Sequence, residues 1–265
     1  MSRRLILRPG AIGDTIVCLP ALQHLCTDAT ELWAPSVNLP LLSHLGTTRP
    51  LVSTGIDALH LAPATLDRLR QFDEIVSWYG SNREDFRAQV AHLPFRFFPA
   101  LPPSGMKMHA VDYYLDQVGA PLGGMPRLPI AHRPHGFAVI HPFSGGKSKN
   151  WPLSRFQEVA QLLPLPVQWC AGPDESLDEA IRFNDLGDLA QWLATASLYI
   201  GNDSGISHLA AACGVPVVAI FGPTNPAVWA PRGPHVRIAE WDWPPERVAA
   251  EAAALLTASA GTRSR

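Results

Sequence analysis

The segment 198–221, LYIGNDSGISHLAAACGVPVVAIF, carries the pattern that decides the fold. Residues 198–201 and 217–221 are short apolar runs typical of buried strands, whereas 205–213 has helical spacing and stops at Gly214. A strand, a helix and a second strand in this order form the crossover unit of a parallel sheet. The segment therefore predicts an α/β protein.

The same alternation extends along the rest of the chain. We predict strands at 5–8, 32–34, 74–78, 136–141 and 167–170, and helices at about 15–25, 109–119, 154–163, 188–195 and 245–256. The stretch 120–133 is rich in Pro and Gly and lacks periodicity, which is typical of a linker. The chain is thus expected to form two Rossmann-like, doubly wound domains, at 1–133 and 134–265, that face a central cleft.

The composition excludes several classes of protein. The chain has 265 residues, and its net charge of −2 argues against a nucleic-acid partner held by a broad basic surface. Its four cysteines have no CxxC spacing and predict a reduced, cytoplasmic protein. The longest strongly apolar run, 209–221, is too short to span a bilayer, so any contact with the inner membrane would be peripheral.

A glycine-containing loop, RPGAIGD at 8–14, follows the first predicted strand. Gly10 and Gly13 permit a tight turn and a close approach of a ligand to the backbone, although the third glycine of a dinucleotide fingerprint is missing. Asp14 follows near the start of the next helix. Its carboxylate can act on a ligand, or it can simply cap the helix by accepting a backbone N–H.

A second polar loop follows the strand at 136–141. It contains Lys147 and Lys149, two of the three lysines in a chain with eighteen arginines. Its GGKS sequence resembles the end of a P-loop, but His141 stands where that motif requires glycine, and Pro152 disfavours a helix directly after it. We therefore predict an anion-binding loop of another kind, although a pair of solvated lysines also explains these residues.

The third loop begins the helix of the opening segment. Asp203 or Ser204 would cap this helix. The N–H groups of Ser204, Gly205 and Ile206 would then be free to bind a phosphate. Gly205 would leave room for that phosphate, and His208, one turn further on, would face the same site. His208 can equally be a structural histidine of the core.

A fourth loop, AGPDE at 171–175, follows the strand at 167–170. Its place matters because ligands of doubly wound sheets bind beyond the carboxyl ends of the strands. The carboxylate of Glu175 could accept hydrogen bonds from the hydroxyl groups of a ribose, or the loop could be merely polar and exposed.

Three segments, in this order, resemble glycosyltransferase family nine, the ADP-heptose:lipopolysaccharide heptosyltransferases. They are RPGAIGDTIVCLPAL (8–22), KNWP (149–152) and YIGNDSGISHLAAACGVPVVAIFGPTNP (199–226), and HAVDYYLDQVG (109–119) matches more weakly. The resemblance implies a GT-B fold. The acceptor would bind to the first domain, which is shorter here than in the family, and the nucleotide sugar would bind to the second.

The resemblance also implies a reaction. A heptose-like sugar would move with inversion from a nucleoside-diphosphate sugar, ADP-heptose, to a hydroxyl of a lipopolysaccharide-core or other glycan acceptor, with no cofactor. Asp14 would be the catalytic base, with Gly10 and Gly13 in the same acceptor-side loop. The residues implied at the donor are Ser144, Lys149, Glu175, Asp203, Ser204, Gly205 and His208, of which Lys149 and His208 would also act in catalysis. The sequence contains no Asp-x-Asp metal motif, which agrees with a metal-independent reaction.

Two other functions fit parts of the pattern. A non-catalytic sugar-nucleotide-binding protein with a degenerate acceptor domain would use the donor loops alone. An NAD-binding oxidoreductase would use the first glycine loop and needs an acidic residue about 20 residues further on, where Glu31 lies. Binding of ADP without binding of NAD would exclude the oxidoreductase.

Overall fold

The computed structural model describes residues 2–262, which contain two parallel sheets of five strands each. The strands of the first sheet are β1 (Arg4–Leu7), β2 (Thr30–Ala34), β3 (Thr47–Pro50), β4 (Glu74–Ser77) and β5 (Phe95–Phe97). Their order across the sheet is β3-β2-β1-β4-β5, which is that of a Rossmann half. The helices of this half are α1 (Ile12–Leu25), α2 (Leu39–Leu42), α3 (Pro63–Leu69), α4 (Glu84–Gln89) and α5 (Ala110–Gln117).

The second sheet uses the other common doubly wound order. Its strands are β6 (Ala138–His141), β7 (Val167–Trp169), β8 (Leu198–Asn202), β9 (Val217–Phe221) and β10 (Val236–Glu240). They lie in the order β10-β9-β8-β6-β7. The helices of this half are α6 (Leu153–Leu162), α7 (Leu186–Leu193), α8 (Gly205–Ala212), α9 (Pro226–Trp229) and α10 (Pro245–Thr262). The predicted fold of two doubly wound, Rossmann-like halves is confirmed.

Three strands that the sequence pattern does not predict, β3, β5 and β10, are all edge strands. Each is partly exposed, so none has the continuous apolar run that marks a strand covered on both faces. By contrast β6, β8 and β9 are buried along their whole length. The pattern of apolar residues in the sequence therefore predicts the central strands of each sheet better than the edge strands.

Helix α1 begins at Ile12, three residues before the predicted start. The reason is that Asp14, at the third helical position, accepts a hydrogen bond of 2.9 Å from the N–H of Ala11, the residue at the N-cap. Gly13 consequently lies in the first turn of α1 and not in a loop, which corrects the prediction.

The two halves pack against each other through helices. Helix α1 packs against both α5 and α8, and one cluster of buried apolar side chains includes residues of both sheets. A bidentate ion pair between Arg232 and Asp112, at 2.6 and 2.8 Å, and a hydrogen bond between His109 Nε2 and the carbonyl of Ala230 add polar links. The apolar contacts stabilise one arrangement of the halves, and with it the shape of the cleft.

Residues 120–133 form neither helix nor strand. They run along the second half, where Leu128 N–H donates to the carbonyl of Ala212 and Arg133 N–H to that of Ala194. The division of the chain at 133 and 134 stays a prediction. Across residues 2–262, none of the helices has both the length and the apolar character needed to cross a membrane.

Candidate active site

The loops that follow β1, β6 and β8 meet in the cleft between the two sheets. In the first sheet the connections change direction at β1 and β4, and in the second at β6 and β8. Such switch points leave a crevice beyond the carboxyl ends of the strands, where doubly wound proteins bind ligands. The switch points of both sheets therefore lie at the same cleft.

The cleft contains two neighbouring cavities. The first, of about 410 Å³, is lined by Asp14, Lys149, Asp203 and His208, and we refer to it as the charged chamber. The second, of about 470 Å³, is the apolar chamber, lined by Cys170, Phe183, Leu186 and Leu189 together with His141 and Glu175. The residues common to both cavities are Ala11, Gly13, Ser144, Gly145, Ser204 and Gly205. All the predicted site residues except Gly10 line one or both chambers.

Gly10 has a structural task instead. Its φ of +114° is a conformation that other residues rarely adopt, and a Cβ there would lie 2.8 Å from the carboxylate of Asp14. Its carbonyl accepts a hydrogen bond from the buried amide of Asn38, which also donates to Thr15 Oγ1. Gly10 thus lets the chain turn tightly around the carboxylate of Asp14.

Lys149 is anchored by an ion pair with Asp203. Its Nζ lies 2.7 Å from Oδ2 of Asp203, whose side chain is 6% exposed, while the lysine side chain is 33% exposed to the cleft. Lys147, in the same short turn, is exposed and does not line the charged chamber. The two lysines of this loop are therefore placed differently, and Lys149, the one that the resemblance implies at the donor, is the one that lines the chamber.

The carboxylate of Asp203 would repel a phosphate, because both are anions. Its place beside Lys149 gives it another task, which is to hold the ammonium group at the chamber wall. The backbone carbonyl of Asp203 accepts a hydrogen bond of 2.9 Å from Ser144 Oγ, which ties the loop after β6 to the end of β8. Asp203 and Ser144 therefore hold the wall of the charged chamber in place.

The N-terminus of α8 opens onto both chambers. Ser204 is its N-cap, and the side chain accepts from the N–H of Ser207. Among the described residues, no acceptor bonds to the N–H groups of Ser204, Gly205 and Ile206. These donors and the positive end of the helix dipole suit an anion.

Gly205 does not leave room for a ligand in the way its sequence position suggests. A Cβ on Gly205 would lie 2.9 Å from the backbone nitrogen of Gly13 and 2.9 Å from Cβ of Ile12. A Cβ on Gly13 would in turn lie 3.5 Å from Cα of Gly205. The two glycines let the starts of α1 and α8 touch, so the absent side chain of Gly205 faces the other half of the protein.

His208 is held in its neutral form. Burial lowers its pKa to about 4, with His109 and Lys149 acting in the same direction and Asp203 opposing them. The ring also forms a hydrogen bond with the backbone of Trp229. At neutral pH His208 can therefore offer the charged chamber a hydrogen bond but no positive charge.

Arg8 holds the backbone of Asp14 through a hydrogen bond. The guanidinium of Arg8 is buried, lies 4.7 Å from the ring centroid of Tyr114, and donates to the carbonyl oxygens of Asp14 (2.7 Å) and Ala100 (3.2 Å). Burial lowers the pKa of Arg8, but the neighbouring Cys18, Tyr114 and Asp14 outweigh this and raise the pKa above its ordinary value, so the guanidinium retains its charge. It therefore places positive charge near Asp14.

Sequence reasoning missed Arg8, Asn38 and His141 as parts of the site. Arg8 and His141 stand at the carboxyl ends of predicted strands, and this position was a usable signal. Asn38 had no comparable signal, because it reaches the glycine loop from the connection after β2.

Glu175 lies in the apolar chamber and pairs with His141. Its Oε2 is 3.0 Å from His141 Nε2 and accepts a 2.6 Å hydrogen bond from the N–H of Gly172. Burial alone would raise the pKa of Glu175, but the hydrogen bonds from His141 and Gly172 outweigh it and lower the pKa. The carboxylate is therefore ionised at neutral pH.

Within residues 2–262, no group of three or more His, Cys, Asp and Glu side chains is arranged to hold a metal ion. The site instead combines an anion-binding helix end, a lysine and a carboxylate from the opposite half, in a cleft between two doubly wound sheets. This architecture is the GT-B type.

Comparisons with known proteins agree with this class. Residues 184–251 match the sequence model of "Glycosyltransferase family 9 (heptosyltransferase)". Lipopolysaccharide heptosyltransferase 1 of Pseudomonas aeruginosa is 49% identical over 174 residues, which are 56% of this chain and 48% of that protein. Lipopolysaccharide heptosyltransferase 1 of Salmonella typhimurium is 30% identical over 107 residues, 35% of this chain and 34% of that protein. Lipooligosaccharide heptosyltransferase 2 of Haemophilus influenzae is 27% identical over 101 residues, 31% of this chain and 29% of that protein.

The fold is shared more widely than the sequence. The structure of an Escherichia coli ADP-heptose heptosyltransferase II aligns with a TM-score of 0.76 at 18% identity and covers 97% of this chain and 99% of that one. The predicted resemblance to glycosyltransferase family nine and the predicted GT-B fold are confirmed. The chain matches between 29% and 48% of the length of the three curated relatives.

Proposed function

We propose that this protein is an inverting, metal-independent glycosyltransferase that moves a heptose from ADP-heptose to a hydroxyl of a lipopolysaccharide-core acceptor. One observation carries the proposal. A carboxylate of the first half, Asp14, lines the same chamber as the anion-binding elements of the second half, Lys149 and the N-terminus of α8. A base and a leaving-group site that line one cavity are what displacement at a sugar carbon requires.

In the proposed reaction the acceptor hydroxyl attacks the anomeric carbon from the face opposite the diphosphate. The new C–O bond forms while the bond from that carbon to the diphosphate oxygen breaks, and the hydroxyl proton passes to Asp14. A positioned general base typically contributes 10²–10⁴-fold to the rate. Neutral His208 can supply a hydrogen bond to the leaving group.

The leaving diphosphate gains negative charge as the bond breaks. Lys149 and the N–H groups at the start of α8 are fixed in place before the reaction, so they stabilise this charge without reorganising. In this proposal they supply the electrostatic stabilisation that a metal ion provides in other transferases.

The two chambers suit the two ends of the donor. Their shared wall at Ser144, Ser204 and Gly205 would carry the diphosphate, with the sugar in the charged chamber and the nucleoside in the apolar one. A structure similar in fold, with a TM-score of 0.66 at 17% identity, is that of an E. coli heptosyltransferase with ADP. This similarity supports ADP as the nucleotide to test first. A glycolipid acceptor would bring the protein into peripheral contact with the membrane.

The oxidoreductase alternative loses its main support. Glu31, the acidic residue needed for the ribose of NAD, accepts a hydrogen bond from Trp33 Nε1 and forms ion pairs with Arg49 and Arg68. A non-catalytic binding protein remains the second candidate, because the carboxylate of Asp14 already caps α1 through Ala11.

Thermal unfolding with ADP, UDP, GDP and NAD tests the proposal. A ligand at about 100 times its dissociation constant adds roughly 2.7 kcal/mol of apparent stability. We expect stabilisation by ADP and none by NAD. Release of ADP from ADP-heptose only when a lipopolysaccharide-core acceptor is present would then separate a transferase from a binding protein. Stabilisation by NAD alone would contradict the proposal.

A further inference from the structure

The pair formed by His141 and Glu175 has no part in the transfer chemistry described above. Both donors that hold the carboxylate, His141 Nε2 and the N–H of Gly172, bond to the same oxygen, Oε2. Among the described residues no donor bonds to Oε1. The carboxylate is therefore fixed through one oxygen while the other remains available to a ligand in the apolar chamber.

His141 is an unusual choice for its position. It ends β6, is 4% exposed, and its Nδ1 is buried without a hydrogen-bond partner among residues 2–262. A buried polar atom without a partner costs free energy, because it has lost its hydrogen bonds to water. An apolar side chain would avoid this cost, so the histidine is explained best by its bond to Glu175.

A carboxylate that is fixed and ionised recognises adjacent hydroxyl groups well, because it accepts charge-assisted hydrogen bonds without losing side-chain entropy on binding. The two hydroxyls of a ribose are such a pair. Polar recognition of this kind discriminates strongly, since an analogue without the hydroxyl leaves the half-buried carboxylate without that hydrogen-bond donor.

We propose that His141 is a positioning residue that holds Glu175 for the ribose hydroxyls and so makes the site selective for ribonucleotides over deoxyribonucleotides. This inference rests on the proposed function, since it places a nucleoside in the apolar chamber. It adds a residue that does not touch the ligand and a selectivity that depends on it.

The test is calorimetric titration with ADP and with 2′-deoxy-ADP and 3′-deoxy-ADP. A charge-assisted hydrogen bond is worth roughly 1.5–3 kcal/mol, so the unaltered protein should prefer ADP by about 10-fold or more. His141→Phe keeps a ring of similar size but removes the donor, and it should bring the preference towards unity. His141→Gln places an amide donor near the position of Nε2 and should restore part of the preference.

Asp174→Asn is the matched control, because Asp174 is an exposed neighbour of Glu175 and should not affect the preference. An unchanged preference in His141→Phe would overturn the inference, as would an equal loss of affinity for all three nucleotides, which is the sign of a merely structural role. Failure of the unaltered protein to bind ADP would instead contradict the proposed function. Whether His141→Phe folds is checked separately. If it does not fold, the preference measured for His141→Gln tests the inference.

Discussion

Two turns meet at the centre of the cleft, 10–14 at the start of α1 and 203–208 at the start of α8, and they use similar residues for opposite purposes. Each follows the strand at a switch point and contains an aspartate and a glycine. In the first turn the carboxylate of Asp14 accepts a hydrogen bond from the N–H of Ala11. The N-terminus of α1 therefore already lies beside a negative charge. In the second turn the carboxylate of Asp203 points towards Lys149 and pairs with it. The first N–H groups of α8 therefore remain without an acceptor among the described residues.

The direction of the carboxylate thus decides what each helix end can bind. The start of α1 is already neutralised and suits a base acting on a neutral hydroxyl. The start of α8 keeps its dipole and its donors for an anion. Changing a residue in either turn tests whether this division is correct.

Replacing Asp14 with Asn should produce the largest effect. The amide oxygen can still accept the N–H of Ala11, so the cap survives, but the base is lost. We expect transfer to fall by about 10²–10⁴-fold while ADP affinity is retained. Rates of ADP release measure this, with Asp28→Asn, an exposed aspartate of the same half, as control. Near-normal turnover would leave Asp14 with the capping role alone.

The buried His208 should make stability fall in mild acid. Its folded pKa of about 4 lies below its unfolded value near 6.5, so the unfolded state binds the proton first. Its contribution is therefore intact above pH 6.5 and is lost as the pH falls towards 4, by up to about 3 kcal/mol. Chemical unfolding of the unaltered protein and of His208→Gln, at pH 7 and pH 4.5, isolates this change. An equal loss in both proteins would show that groups other than His208 cause it.

Lys149→Ala should weaken binding of ADP by about 1.5–3 kcal/mol and binding of adenosine much less, because the lost bond is to the phosphates. Lys147→Ala is the control two residues away. Part of the loss comes from the buried carboxylate of Asp203, which is left unpaired, so adding Asp203→Asn should recover some affinity. A larger loss with Lys147→Ala would mean that this loop binds phosphate in another way.

Gly205→Ala should destabilise the protein by about 1–3 kcal/mol, because its Cβ would press on the backbone of Gly13. Gly145→Ala is a matched control, since Gly145 lines the same chambers and a Cβ there meets no atom within 4 Å. Denaturant unfolding measures both. If Gly205→Ala loses ADP affinity without losing stability, the glycine serves the phosphate rather than the contact between the halves.

The sequence predicts the central strands and the main helices because these have the apolar runs and the spacing of buried elements. It does not predict β3, β5 and β10, which lie at sheet edges and are partly exposed. Of the site, the loops could be found because chemistry in doubly wound folds lies beyond the strand ends.

The direction in which each residue of the site faces could not be predicted from the sequence. Nothing in the spacing of residues 203–208 says that Asp203 faces Lys149 or that Gly205 faces Gly13, because both contacts are with distant segments. The support that Asn38 gives to Gly10 is likewise a tertiary contact. Local pattern gives the residue types of a site, while packing between the halves decides what each residue touches.

A crystal structure with ADP bound tests the contrast between the two turns most directly. The account predicts the phosphates at the N–H groups of residues 204–206, within hydrogen-bond distance of Lys149 Nζ, with Asp14 across the charged chamber and free of the nucleotide. Phosphates bound at Gly10–Gly13, with the start of α8 unoccupied, would contradict both the donor site and the roles assigned to the two halves.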